Sequence, residues 1–129
     1  MRKIFLAIIM LCSSLIFLTG CGSGWSFSGV SAGYNASSTE NNFEVTATSL
    51  NGVHRRFIDF TAEELENFTV ETTNTRGNIN LIMIQNNTEV HMSINNFMGF
   101  VDTSIFSEGT IEVLIFYDEV RDLHLTMHW

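Results

Sequence analysis

Fourteen carboxylates and four histidines are the side chains of this 129-residue chain that offer most to chemistry, and their spacing limits what they can do. Two acidic sets stand out, Glu63, Glu64 and Glu66 in "TAEELEN" and Asp118, Glu119 and Asp122 in "YDEVRD". A glycosidase needs two carboxyls facing each other across a sugar. Neighbours on a turn or a helical turn point in different directions, so neither set is read as catalytic. Asp118, Glu119 and Asp122 resemble the clustered oxygens that calcium takes, but without the Asp-x-Asp-x-Asp-Gly order of an EF-hand loop, and a solvated acidic turn is expected. His124 and His128 share a strand face. Four residues at about 3.3 Å each put their Cα atoms roughly 13 Å apart, too far for one zinc ion, which leaves His91 with His124 as the zinc pairing to weigh. His54, His91, His124 and His128 are all expected on a solvated sheet face, with no metal and no cofactor. No Gly-x-Ser-x-Gly, no glycine-rich loop opening a helix and no His-Glu-x-x-His occurs. No catalytic residue is assigned, and the chain is not expected to be an enzyme.

The two cysteines lie near the N-terminus, Cys12 and Cys21. "MRK" supplies two positive charges, "IFLAIIMLCSSLIFL" an apolar run and "TG" small residues before Cys21, the layout of an export signal over residues 1–20. The run falls short of the roughly 20 apolar residues that span a bilayer. Leu18-Thr19-Gly20-Cys21 resembles the lipobox of bacterial lipoproteins. That resemblance implies cleavage after Gly20, a diacylglyceryl group on Cys21, and a protein tied to the extracytoplasmic face of the cell membrane. Two or three acyl chains hold durably where one does not. The exported part then has no thiol for a disulfide, a thiolate metal site or a nucleophile. It keeps four basic residues, Arg55, Arg56, Arg76 and Arg121, against all fourteen acidic ones, in a chain whose whole net charge is already −8. Nucleic acid is excluded as a partner. Docking on anionic lipid is disfavoured.

The elements that must position these residues follow from periodicity. Residues 21–42, the lipidated cysteine and a Gly-, Ser- and Asn-rich stretch, read as a flexible tether with a reach of roughly 25 Å. Trp25, Phe27 and Tyr34 are unusual there, and they suit the membrane interface, the side of the domain, or a docking peptide. From Phe43 the period becomes two: "FEVTATSL" is a strand, Asn51-Gly52 a hairpin turn, and "VHRRFIDF" the returning strand. Thr61 with Glu64 forms a capping box for one short helical turn. Further strands follow in "FTVETTN", "INLIMIQ", "EVHMSI", around "FMGFVDT", in "TIEVLIFYD" and in "DLHLTMHW". Seven to eight short strands with turns between them indicate an all-β fold over residues 43–129, an antiparallel β-sandwich or small barrel. Residues 81–84 with Leu114 and Phe116 make some strands apolar on both faces. Either the short helix covers the second face, which is the expectation, or a partner does.

The stretches "TAEELENFTVETTNTRGNINLIMIQ" and "GTIEVLIFYDEVRDLHLTMHW" resemble small lipoproteins of Gram-positive bacteria that carry a compact β-sandwich without established activity. Gly77, Gly109 and Trp129 match their outline, and the resemblance brings no site residues. Together these features lead to the expectation of a non-catalytic binding or interaction module at the cell envelope. Its contacts would be the acidic residues Glu63, Glu64, Glu66, Asp118, Glu119 and Asp122, and its partner a basic protein or envelope polymer. The alternative is an acidic inhibitor of a basic hydrolase such as lysozyme.

Overall fold

The computed structural model describes residues 24–129. The export signal and Cys21 lie outside the described residues. The fold is all-β and antiparallel: eight strands in one sheet that does not close into a barrel, with one short helix. The strands are β1 (Ser26–Ala32), β2 (Asn35–Ser38), β3 (Asn42–Phe60), β4 (Thr69–Thr73), β5 (Arg76–Gln85), β6 (Thr88–Ser93), β7 (Met98–Phe100) and β8 (Gly109–His128), and the helix α1 is Ala62–Glu66.

Two strands organise the rest. β3 and β8, 19 and 20 residues long, pair with each other from Asn42↔His128 to Phe60↔Gly109. They are folded in half. His54 lies eleven residues from Phe43 on the same strand, about 36 Å away if that strand were straight, yet the two rings are 5.2 Å apart. Trp129 follows β8, twenty residues beyond the Gly109 that faces Phe60, and its ring is 6.1 Å from that of Phe60. The sheet therefore doubles over. The first limb carries β2, the start of β3, the end of β8, β4 and β7; the second carries β1, the end of β3, the start of β8, β5 and β6. The inner faces meet in a core that includes Phe43, Val45, Ile79, Leu81, Val113, Ile115, Leu125 and Met127.

The fold line is written into the phase of the buried positions. Along β8 they run Ile111, Val113, Ile115 and Tyr117, skip to Val120, skip again to Leu123, and resume every second residue. The skipped positions include Glu119 and Asp122, both with φ of 49°. Opposite them the register slips between Leu50 and Gly52. A bulge of this kind bends and twists the strand that carries it. Asn51-Gly52 is thus the bend of one strand and not the hairpin turn expected from the dipeptide, and "YDEVRD" is likewise the bend of β8. At the fold, Gly52 and Gly29 pair across β1 and β3 with φ of +150° and +154°. A Cβ on Gly52 would stand 2.2 Å from the Ser28 carbonyl oxygen, and one on Gly29 2.2 Å from that of Asn51.

The expected tether is also revised. Ser26–Ala32 and Asn35–Ser38 are strands paired along β3, not a free linker, because a 19-residue β3 offers a whole edge of unpaired backbone groups for them to bond. α1 forms where the capping box placed it. Thr61 Oγ1 accepts from the Glu64 amide and Glu64 Oε1 from the Thr61 amide, both at 3.1 Å. It links the tips of the two limbs and buries only Leu65. Among the described residues no helix is long and apolar enough to cross a membrane.

Gly52→Ala should lower unfolding free energy by roughly 2–3 kcal/mol, since backbone must move to admit the methyl group. Gly99→Ala is the control: its φ is +153°, but its nearest neighbour would be Phe97 at 3.8 Å. That change should cost about 1 kcal/mol from conformation alone. Urea unfolding of both variants measures the difference.

Candidate functional site

The structure distributes the acidic residues over opposite ends of the molecule. Asp118, Glu119 and Asp122 lie at the bend, where Asp122 Oδ2 accepts from Thr75 Oγ1 at 2.7 Å and Asp118 pairs in register with Asn78. The bend holds a cavity of about 520 Å³, lined by Val30, Asn51, Arg76, Glu119 and Arg121 among others. Glu63, Glu64 and Glu66 lie on α1 at the open end, where the limb tips meet. These two acidic sets therefore form no single surface. Among the described residues no three His, Cys, Asp or Glu side chains gather to hold a metal ion. His91 lies on β6, with Nε2 against Glu89 Oε1, and His124 on the outer face of the first limb, 3.3 Å from Glu44 Oε1, so the zinc pairing is not formed.

At the open end, Glu63 and Glu64 line a cavity of about 410 Å³ with Asn67, Thr69, Phe100, His128 and Trp129. Glu64 is committed to structure: besides capping α1, its Oε2 accepts from Asn41 Nδ2 at 2.7 Å. Glu63 and Glu66 are exposed, and Phe100 is 67% exposed on the short edge strand β7. Carboxylates thus stand beside an aromatic rim.

A third grouping went unread in the sequence. His54 is 1% exposed, enclosed between the limbs by Trp25, Phe27, Tyr34, Phe43 and Tyr117. Its Nε2 is 2.7 Å from the Tyr34 hydroxyl and its Nδ1 2.8 Å from that of Tyr117. Burial pushes the imidazole pKa down to about 4, raises that of Tyr34, and with the Tyr34 charge raises Tyr117 well above the usual phenol value. All three groups are therefore neutral at pH 7. The neutral ring has one N–H, so it donates to one tyrosine and accepts from the other. A general base works best with a pKa near the operating pH, and this ring is far from it. The space beside it, about 70 Å³ between Trp25, Tyr34, Ser37, Ser38 and Phe43, has room for one or two waters. The trio is a satisfied polar element of the core, and its role is to hold the β1–β2 edge, whose corner carries Tyr34, onto the body. A signal was present in the sequence: His54 shares the phase of Ile58 and Phe60 within "VHRRFIDF", but the expectation that a histidine on a strand faces solvent overrode it.

The fourth feature is the outer face of the second limb. Val53 and Phe57 of β3, Leu114 and Phe116 of β8, and Ile82 and Ile84 of β5 alternate outward there, with Phe57 58% and Phe116 41% exposed. α1 does not cover this face as expected. It sits at the open end, where Thr103 Oγ1 donates to the Leu65 carbonyl and Asn41 to Glu64.

No protein-family model matches the chain, and no curated protein matches it.

Acid should destabilise the fold through His54. With a folded pKa near 4 and an unfolded value near 6.5, the unfolded chain binds the extra proton between those pH values. Stability is full above pH 6.5 and falls as pH drops toward 4, by at most about 3 kcal/mol. The melting temperature of His54→Gln should therefore depend less on pH between 7 and 4.5 than that of the native chain. Parallel slopes would remove His54 as the cause.

Proposed function

We propose that this chain is a non-catalytic binding module, held at the extracytoplasmic face of a cell membrane by lipid on Cys21, and that its open end receives a cationic group of a basic protein or envelope polymer. The observation that supports it is the cavity where Glu63 stands beside Phe100, His128 and Trp129. A lysine or arginine entering there meets carboxylate and aromatic ring together, and each attracts a cation more strongly as water leaves. The net charge of −8 favours the encounter from a distance, since like-signed fields steer opposite charge into a cleft and salt screens them. Asp118, Glu119 and Asp122, at the other end, add to that field and make no contact in the cavity. Inhibition of a basic hydrolase such as lysozyme would be a special case, in which the bound group belongs to an enzyme's active-site cleft.

Two measurements test this function. Cys21→Ser should move the protein from the membrane fraction to the soluble one. Glu63→Gln with Glu66→Gln, leaving the capping Glu64 intact, should slow association with an oligolysine peptide about threefold to tenfold at low salt, and the difference should shrink at 0.5 M salt. Unchanged rates would remove the open end as the site. Lysozyme titrated with the native chain decides the inhibitor case directly.

A further inference from the structure

Trp25 changes what a lipid on Cys21 would do. Its side chain is 6% exposed, stacked on Phe43 with ring centroids 4.1 Å apart, and the guanidinium of Arg56 lies over the indole. Ser26, where β1 begins, pairs with Arg55, and Gly24 lies against the Arg56 side chain. Only Gly22, Ser23 and Gly24 separate Trp25 from Cys21. Four peptide units reach at most about 14 Å, and the roughly 5–7 Å headgroup zone of one leaflet takes up about half of that. An anchored domain therefore stays within about 10 Å of the headgroups and cannot hang far from the bilayer.

The surface beside that exit is the apolar face of the second limb. Phe57 stands beside Arg55, the partner of Ser26, and Val53, Leu114, Phe116 and Ile82 continue the face across three strands. Its central charges cancel: Arg55 pairs with Glu112 at 2.9 Å and lies 5.0 Å from the Phe57 ring centroid. The surfaces that compete for the membrane are charged and solvated. The open end carries Glu63, Glu64 and Glu66, and the central strands of the first limb carry Glu44, Glu71, His124 and His128 outward, with the exposed apolar Met98 and Phe100 on the far edge strand β7.

Resting on the acylation of Cys21 proposed above, we infer that the outer face of the second limb lies on the bilayer that holds the anchor, with Phe57, Leu114, Phe116 and Ile82 at the boundary between headgroups and acyl chains. Aromatic side chains favour that boundary, and apolar contact adds a second attachment to the acyl one. The paired Arg55 can lay its stem along the face while its head stays among the headgroups. The first limb then faces away from the membrane and the acidic open end lies to the side, clear of anionic lipid.

The test uses the full-length chain, produced in cells that acylate it and reconstituted in phosphatidylcholine vesicles containing doxyl-labelled lipid. A fluorophore is attached through Phe116→Cys, Ile82→Cys or, on the opposite limb, Thr126→Cys. Quenching at the first two positions should exceed that at the third at least threefold. Mass measurement of the N-terminal peptide reports acylation separately. If Cys21 carries no lipid, the anchoring and this orientation fail together. If it is acylated and the three positions quench alike, the orientation alone is overturned. The vesicles hold no other protein, so a face that a protein partner covers in cells would go unquenched and overturn it as well.

Discussion

The doubling over of the β3–β8 pair is the constraint on which this structure depends. A flat ribbon of two 20-residue strands would expose one apolar face along its whole length. Folding it at the Leu50–Gly52 bulge puts Phe43 against His54 and Trp129 against Phe60, so one sheet supplies both layers of its own core. Burial of apolar area, at about 25 cal/mol per Å², is what the bend makes available. Its local cost is met by residues suited to it: paired glycines at positions 29 and 52, and asparagines that cross between the limbs. Asn74 and Asn96 each donate a backbone amide to the other's side-chain oxygen, and Asn95 accepts from the Ile79 amide. Among the described residues no disulfide does this work, since none of them is a cysteine.

Once the sheet is folded, the N-terminal strands have a place to go. The outer edge of β3 runs around the bend, and β1 and β2 pair along it on either side of that corner. Trp25, just before β1, and Tyr34, at the corner between β1 and β2, then enclose His54. A neutral histidine between two tyrosines satisfies three polar groups at once, which suits a seam where an unpaired donor or acceptor would cost about 1–3 kcal/mol. The same arrangement shortens the link between Cys21 and the folded chain to three residues.

Fold class was legible because period-two alternation survives locally in nearly every strand, and the helix was legible because Thr61 and Glu64 make a capping box that needs no tertiary context. Strand continuity was not. Asn51-Gly52 is chemically a hairpin turn, and only pairing with a β8 that bends at the same level shows that the chain carries straight through. The linker composition of residues 22–42 misled for a related reason. Gly29 and Gly33 are there for close approach and a tight turn within strands, and Ser and Asn on an edge strand are as polar as those of a tether. Of the acidic candidates, Glu63 and Glu64 come together with aromatic residues that no local spacing could associate with them, Phe100 from β7 and Trp129 after β8. His54 was misplaced on the surface because a histidine on a strand was expected in solvent, although its phase with Ile58 and Phe60 already pointed inward.

The two outer faces differ in a way the core does not require. On the first limb the outward positions of the central strands are polar, Thr69, Glu71 and Thr73 on β4, His124, Thr126 and His128 on β8, and Glu44 and Thr46 on β3. On the second limb β3, β5 and β8 place Val53, Phe57, Ile82, Ile84, Leu114 and Phe116 outward instead. Both limbs bury their inner faces equally well, so folding alone gives no reason for the asymmetry. Leaving Phe57 in water forgoes much of the roughly 1.5–3 kcal/mol that burying such a side chain yields. The first limb exposes Met98 and Phe100 on its edge strand β7, but a surface built at that cost across the central strands, next to the point where the chain leads toward Cys21, has a physical reason if that side does not face water.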